Sequence, residues 1–159
     1  FLFFGVIAVM GTYYVQATAV LAAPLSTAIP PDTVTWLAFL ASLPVAALST
    51  NILVVNNIRD REEDATTGKR TLAVRFGYRF SRLQFAGLAG LAYAVPVWLW
   101  LAEGFGLTVL LPLVTLPIAA VLIRTIWTKT SGAALNPALE TTGKLLAVHA
   151  LLFGIGLAV

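Results

Sequence analysis

Residues 47–55, ALSTNILVV, form an apolar run that passes directly into residues 56–71, NNIRDREEDATTGKRT. The second stretch holds four acids and four bases, although only 11% of the residues in the whole chain are charged. Such an abrupt change from apolar to charged sequence is typical of a helix that leaves a membrane at its charged end. This junction therefore indicates both the fold class and the place to look for polar chemistry.

The composition excludes a soluble globular protein. Hydrophobic residues make up 59% of the 159 residues, and the mean hydropathy is +0.91, which leaves too little polar sequence to cover a soluble domain of this size. The chain has no Cys, which removes disulfides and thiolate chemistry. We attribute its net charge of +3 to membrane topology rather than to nucleic-acid binding, because Lys and Arg accumulate on one side of membrane proteins.

Five segments approach the length of about 20 apolar residues that a helix needs to cross a bilayer. We predict spans at residues 1–23, 33–57, 83–102, 107–127 and 141–159. Pro30-Pro31-Asp32 precedes the second span. Asn136-Pro137 predicts a helix start before the fifth, because Asn is a favoured N-cap and Pro a favoured first helical residue. The predicted fold class is all-α, a multi-pass transmembrane helical bundle of about five helices in a single domain covering residues 1–159.

The distribution of Lys and Arg predicts the orientation of the bundle. Residues 24–32 and 103–106 contain no Lys or Arg, whereas the loop at 59–82 holds seven and the loop at 124–144 holds three. Basic residues concentrate in cytoplasmic loops, and rich and empty loops alternate here as five successive spans require. We therefore expect an integral membrane protein whose charged loop, residues 59–82, is cytoplasmic.

The acids at the start of this loop have helical spacing. If the second span continues as a helix, Asn56, Asp60 and Asp64 follow one another at i, i+4 and i+8, and Asn57 lies three residues before Asp60. Two carboxylates about 6 Å apart repel by roughly 3 kcal/mol at an effective dielectric constant near 20. Mg2+ suits such a pair, because it takes oxygen ligands and commonly bridges one or two carboxylates to substrate phosphates.

Lys69 and Arg70 follow the acid pair at a distance from which the chain could turn back toward it. Arg offers a planar fork to phosphate oxygens, so the set is typical of a clamp for a metal and a diphosphate. The alternative is a solvated loop that only sets topology. Against it stands the position of the two Asn and two Asp at the membrane boundary, where uncompensated polar groups are costly.

Tyr13 and Tyr14 are candidate substrate-binding residues within the first apolar span. A tyrosine ring can stabilise a carbocation through its face, and its hydroxyl can hydrogen-bond an aromatic acceptor. The alternative is that both belong to an interfacial aromatic belt or to a helix-helix contact.

The motif Asn56-x-x-x-Asp60-x-x-x-Asp64, followed by GKRTLAVRFG at residues 68–77, resembles the second aspartate-rich motif of the UbiA superfamily of intramembrane prenyltransferases. The version with NNIRD and GKRTLAVR is most similar to the branch that prenylates 1,4-dihydroxy-2-naphthoate in menaquinone biosynthesis. GTYYVQ at residues 11–16 and LNP at residues 135–137 also resemble that family. The resemblance implies a nine-helix fold with two aspartate-rich motifs at the cytoplasmic mouth of a central cavity.

The first aspartate-rich motif of that family is absent from these 159 residues. The resemblance therefore implies that the chain is the C-terminal part of a UbiA-type enzyme, supplying about the last five helices. The N-terminal remainder of the same protein would carry the other metal site, and the isolated C-terminal part is expected to be inactive. A bacterial inner or plasma membrane is the implied location.

The resemblance also implies residue roles. Asp60 and Asp64 would coordinate Mg2+ on a polyprenyl diphosphate, Asn56 and Asn57 would support the metal or the substrate, and Lys69 and Arg70 would neutralise the leaving diphosphate. The implied reaction transfers the polyprenyl group to 1,4-dihydroxy-2-naphthoate and gives demethylmenaquinone. Its partners would be the polyprenyl diphosphate, the aromatic acceptor and the lipid bilayer.

Two alternatives to this reaction stay open at the level of the sequence. The first is a UbiA-type prenyltransferase with another aromatic acceptor, such as hydroxybenzoate, homogentisate, or a haem or chlorophyll precursor. The second is a multi-pass transporter or scaffold without enzymatic activity, whose intramembrane polar residues would line a solute path.

Overall fold

The computed structural model describes residues 1–21, 33–130 and 132–159, and within them the chain is helical with no strand. The predicted all-α class is confirmed. Within these described ranges, five helices are long and apolar enough to cross a membrane: Leu2–Val20, Trp36–Arg59, Leu72–Ala102, Leu107–Thr128 and Gly132–Ala158. The predicted break at Pro30-Pro31-Asp32 lies outside the described residues.

The elements follow one another as a series of helices. A π-helical turn, Leu2–Ile7, continues into α1 (Ala8–Leu21). The next elements are α2 (Trp36–Arg59), a short α3 (Arg61–Thr66) and α4 (Leu72–Ala102). A 3-10 helix, Leu107–Thr115, leads into α5 (Leu116–Thr128), and α6 (Gly132–Ala158) completes the order.

Helix α2 is the central helix of the described bundle. It starts at Thr35, whose hydroxyl accepts a hydrogen bond from the Ala38 amide at 3.1 Å and so satisfies one of the free N–H groups at the helix start. It packs on α4, on α6 and on the π-helical turn. Its buried face, including Leu48, Val55 and Ile58, joins a core with residues of α4, α5 and α6. The core thus fixes the position of the charged end of α2.

The charged segment at residues 59–82 is not a loop, and that part of the sequence prediction is wrong. Helix α3 occupies its first part, and α4 begins at Leu72 instead of residue 83. The Thr71 hydroxyl accepts from the Val74 amide at 3.3 Å and caps α4. The one interruption inside α4 is Gly77, at φ 79° and ψ 178°, a conformation open mainly to glycine. The segment therefore folds as two helical pieces joined by a short turn.

Helix α6 also starts earlier than predicted, at Gly132, so Asn136 is not an N-cap and Pro137 lies inside the helix. The reason is burial, because Leu135 is fully buried in the core shared with α2. Gly132 also packs close to the end of α2, where an added Cβ would lie 3.3 Å from the Arg59 carbonyl oxygen. Tertiary packing of this extra turn outweighs the local preference of Asn-Pro for a helix start.

At the other end of the bundle, α6 packs on the 3-10 helix through Gly156. An added Cβ there would clash with the carbonyl oxygen of Thr108. The Thr108 hydroxyl donates to the Gly156 carbonyl at 3.2 Å. This close backbone approach anchors the 3-10 helix to α6.

Candidate functional site

The junction of α2 and α3 keeps the predicted acids in helical register. Asp60 leaves helical geometry, with φ −94° and ψ 4°. The Asp60 amide nevertheless donates to the Asn56 carbonyl at 2.9 Å, and the Asp64 amide donates to the Asp60 carbonyl at 2.8 Å. The i to i−4 repeat therefore continues across the junction, and Asn56, Asp60 and Asp64 succeed one another along it.

Asp60 is held by the arginine next to it. Arg59 donates from Nε to Asp60 Oδ1 at 2.7 Å and from Nη2 to Oδ2 at 2.9 Å, a two-point ion pair. The same guanidinium donates to Asn56 Oδ1 at 2.8 Å and to Asn136 Oδ1 of α6 at 3.4 Å. The hydrogen bond from Arg59 lowers the pKa of Asp60, so the carboxylate stays ionised.

Asp64 is the more buried acid, with 5% of its surface exposed. Lys69 donates from Nζ to Asp64 Oδ1 at 3.0 Å, and the Lys69 amide donates to the Asp64 carbonyl at 2.9 Å. Gly68, at φ 77°, makes the turn between them. The hydrogen bond to Asp64 raises the pKa of Lys69. Asp64 Oδ2 is buried and has no hydrogen-bond partner among the residues that the structure describes.

The predicted cluster is thus neutralised by two bases of the chain. Arg59 pairs with Asp60 and Lys69 with Asp64, and Asp60 also lies close enough to Lys69 to raise its pKa. These bases offset the repulsion expected between two neighbouring carboxylates. Among the residues that the structure describes, no three His, Cys, Asp or Glu side chains form a metal-binding group.

An open polar cavity of about 510 Å3 lies beside Asp60 and between the end of α2 and the start of α6. It is lined by Arg59, Asp60, Glu62, Glu63, Thr130, Gly132, Ala133 and Asn136. Three acidic side chains, one guanidinium and one amide therefore line a space large enough for a small charged group.

The remaining predicted residues, Asn57, Arg70, Tyr13 and Tyr14, do not line this cavity. Arg70 is exposed and Asn57 is half-buried. Tyr13 lines a small cavity with Thr35 and Ala41, near the start of α2. Because a helix rises about 1.5 Å per residue, Ala41 is roughly 28 Å from Asp60 along α2. The structure therefore brings Asp60, Asp64 and Lys69 together but does not bring Tyr13 to them.

The family of the chain follows from comparison with known sequences. The profile of the UbiA prenyltransferase family matches residues 1–148. The chain belongs to the UbiA prenyltransferase family. The resemblance to this family that the aspartate-rich motif indicated is confirmed. Family membership and the five apolar helices of the described residues together show that the chain is an integral membrane protein.

Several UbiA relatives are similar over almost the whole chain. A 1,4-dihydroxy-2-naphthoate octaprenyltransferase from Mycobacterium tuberculosis is 34% identical over 151 residues, which cover 95% of this chain and 46% of that protein. The Escherichia coli protein of the same name is 33% identical over 165 residues, which cover 98% of this chain and 46% of that protein. Human UbiA prenyltransferase domain-containing protein 1 is 34% identical over 155 residues, which cover 97% of this chain and 40% of that protein. No solved structure is a significant match.

The chain thus spans less than half the length of these UbiA relatives, and it aligns with the C-terminal part of the naphthoate enzymes.

Two site residues of this UbiA chain were missed by sequence reasoning. Arg59 sits three residues after Asn56, a spacing that allows contact on a helix and could have indicated the pair. Asn136 is far away in sequence and had been assigned to a helix cap. Only the packing of α6 against the end of α2 brings Asn136 to the Arg59 guanidinium.

Proposed function

We propose that the protein containing this chain transfers a polyprenyl group from a polyprenyl diphosphate to 1,4-dihydroxy-2-naphthoate, and that this chain supplies one half of the diphosphate site. The observation that carries the proposal is the acid pair at the membrane end of α2. Asp60 and Asp64 follow each other in helical register there, and Asp64 holds a buried oxygen without a partner. Membership of the UbiA prenyltransferase family and the names of its relatives support the reaction class.

The residues at this junction fit a magnesium ion. Mg2+ is commonly held by one or two carboxylates together with substrate phosphates and water, and a buried carboxylate oxygen without a partner is costly unless it receives a ligand. Asp60 and Asp64 would hold the ion. When bound, it would neutralise the charge that develops on the departing diphosphate.

The bases of the chain complete the proposed site. Arg59 and Lys69 neutralise the two acids here, and both are suited to diphosphate oxygens once these acids bind a metal. Arg70, exposed next to Lys69, adds a further positive charge. Asn56 keeps Arg59 in place through its side-chain oxygen. Together these residues stabilise the leaving group.

In the proposed reaction the allylic C–O bond breaks and the diphosphate leaves with the bonding electrons. The electron-rich ring carbon that bears the carboxylate attacks the allylic carbon, and the carboxylate leaves as CO2 while its bonding electrons return to the ring. The apolar faces of the membrane-spanning helices would keep water away from the allylic cation, which water would otherwise capture.

The membrane accounts for the arrangement of the two ends of the substrate. A polyprenyl tail gains about 0.8 kcal/mol per buried methylene in hydrocarbon, whereas the diphosphate must reach the charged junction. The segments at 59–82 and 124–144 hold all ten Lys and Arg residues, so we assign this junction to the cytoplasmic side. A mostly apolar cavity of about 460 Å3 beside Tyr13 is suited to the tail rather than to the charged head, and we assign Tyr13 and Tyr14 to tail or acceptor binding.

We infer that the N-terminal remainder of the protein carries a second aspartate-rich motif facing this one. Two carboxylates supply only part of the coordination that Mg2+ requires. These 159 residues hold no other Asn and Asp cluster of this kind. An isolated chain 1–159 would therefore be inactive.

The test is prenyl transfer by the full-length protein in detergent. With Mg2+, a polyprenyl diphosphate and 1,4-dihydroxy-2-naphthoate, the unmutated protein should form the prenylated ring. Asp60→Ala or Asp64→Ala should lower kcat by about 100-fold or more, as expected when stabilisation of the leaving group is lost. Glu103→Ala removes an exposed acid at the other end of α4 and should leave turnover unchanged. Near-normal turnover by both Asp variants would exclude the proposed site. Turnover with a different aromatic acceptor, and none with 1,4-dihydroxy-2-naphthoate, would show that the proposed acceptor is wrong and that the reaction class is right.

A further inference from the structure

The ring of Tyr78 is close to two guanidinium groups that the proposed reaction does not use. The Cζ atom of Arg61 is 4.5 Å from the centre of the Tyr78 ring, and that of Arg82 is 5.5 Å from it. Both distances are within the range of a cation-π interaction. We call these three residues the Tyr78 brace.

Each member of the Tyr78 brace also makes a hydrogen bond to a different part of the bundle. Arg61 donates from Nε to the Ala73 carbonyl at 3.0 Å, which joins α3 to the start of α4. Arg82 donates from Nε to the Ile126 carbonyl at 2.9 Å, which joins α4 to the end of α5. The Tyr78 hydroxyl lies 3.1 Å from Glu62 Oε1 of α3 and donates to it. The brace therefore connects α3, α4 and α5.

The backbone departs from helical geometry just before Tyr78. Gly77 has φ 79° and interrupts α4 between its first turn and its long membrane segment. A side chain at that position would be strained. The change of chain direction at Gly77 immediately precedes the ring that contacts Arg61 and Arg82.

The brace acts on the acid pair through α3. Arg61 directly follows Asp60 and precedes Asp64 by one helical turn, so the orientation of α3 sets the separation of the two carboxylates. Helix α3 is a single short helix of six residues, too short to be stable alone. Its orientation must therefore come from contacts with other elements, and the brace supplies contacts at both Arg61 and Glu62.

We propose that Tyr78, with Arg61 and Arg82, is a positioning residue that fixes α3 and so sets the affinity of Asp60 and Asp64 for a divalent metal. This inference rests on the proposed function, because it takes the acid pair as a metal site. A purely structural role would change stability without changing metal affinity. Residues that orient metal ligands without touching the metal typically change metal affinity by about 10- to 100-fold.

The experiment measures metal binding and turnover separately in the full-length protein. Mn2+ binding is titrated by electron paramagnetic resonance in the presence of inorganic diphosphate, and kcat is measured at saturating Mg2+. We expect Tyr78→Leu to weaken Mn2+ binding by about 10-fold or more and to raise the half-saturating Mg2+ concentration equally, with kcat at saturation within about threefold of the unmutated value.

Three further variants sharpen the result. Tyr78→Phe keeps the ring and should bind Mn2+ within about threefold of the unmutated protein. Phe80→Leu changes a half-exposed aromatic residue outside the brace and should have no effect. Arg61→Gln should weaken Mn2+ binding in the same direction as Tyr78→Leu, and it carries the test should Tyr78→Leu not fold.

Unchanged Mn2+ affinity in Tyr78→Leu and Arg61→Gln would overturn the positioning role, as would a loss of thermal stability and kcat without any change in metal affinity. The failure of the proposed function looks different. In that case the unmutated protein binds no Mn2+, or Asp60→Asn binds it as tightly as the unmutated protein, and the positioning role fails with it.

Discussion

Gly156 provides a quantitative test of the bundle. Gly156→Ala places a Cβ against the backbone of the 3-10 helix, where it would clash with the Thr108 carbonyl oxygen and lie 2.9 Å from the Cα of Val109. Gly154 lies on the same helix two residues earlier, and a Cβ added there meets no atom within 4 Å. Gly154→Ala is therefore a matched control.

The difference between the two variants isolates the cost of the clash. Each replacement gains up to about 1 kcal/mol of helix propensity, and this gain cancels in the comparison. Overpacking of a close contact costs about 1–3 kcal/mol, and here the obstructing atoms belong to the backbone, which cannot rotate away. Gly156→Ala should therefore be less stable than Gly154→Ala by about 1–3 kcal/mol, which is roughly 5- to 150-fold in the unfolding equilibrium.

The assay is reversible unfolding in mixed micelles, with the fraction of denaturing detergent as the variable and helix content as the signal. Equal free energies of unfolding for the two variants would refute the packing of α6 on the 3-10 helix. A difference of the expected size would support the close approach at Thr108.

Two further predictions concern polar groups of α2. Arg59→Gln removes the partner that lowers the pKa of Asp60. The ion pair stabilises the fold at pH values above the ordinary Asp pKa of about 4. This stabilisation disappears as the pH falls through the lower pKa that Asp60 has in the folded protein. Loss of this partly exposed ion pair should lower the stability by about 0.2–1 kcal/mol near neutral pH, and this part of the loss should disappear in acid. The loss of the contacts to Asn56 and Asn136 should persist at all pH values. A stability difference independent of pH would contradict the pairing. Asn51 is fully buried and donates to the Phe85 carbonyl at 3.1 Å, and its Oδ1 has no partner within the described part of the chain. Asn51→Leu loses that hydrogen bond, worth about 0.6 kcal/mol between membrane helices, and removes an unpaired acceptor that costs about 1–3 kcal/mol. The variant should therefore unfold no more easily than the unmutated protein. A clear destabilisation would contradict this balance.

The membrane spans were the most predictable part of the structure, because hydropathy reports directly on the length of apolar sequence. The register of Asn56, Asp60 and Asp64 was also predictable, since spacing along a helix needs no tertiary information. It survives in the structure because backbone hydrogen bonds continue through the junction at Asp60.

The starts of α4 and α6 were not predictable from hydropathy. Arg75, Arg79 and Arg82 make the first part of α4 too polar to resemble a membrane span, yet charged residues form helices readily. In α6, Asn136-Pro137 carries a local start signal, and the burial of Leu135 against other helices outweighs it. A single sequence does not contain that contact.

The pairing of Arg59 with Asp60 was unpredictable for a geometric reason. Neighbouring residues on a helix do not face each other, and the sequence holds neither Gly nor Pro at this point to indicate a break. The departure of Asp60 from helical geometry lets the two side chains meet. The second contact of Arg59, to Asn136, joins residues 77 positions apart.

The central claim is that the acid pair at the end of α2 binds a metal together with the diphosphate head of the substrate. The most direct measurement is the 31P relaxation of a prenyl thiodiphosphate bound to the full-length protein, with Mn2+ in place of Mg2+. We predict strong paramagnetic relaxation of both phosphorus signals in the unmutated protein and a marked decrease in Asp60→Asn and Asp64→Asn, which keep only the metal held by the second motif, in the N-terminal remainder. Equal relaxation in the unmutated protein and in both variants would show that the metal and the diphosphate meet elsewhere.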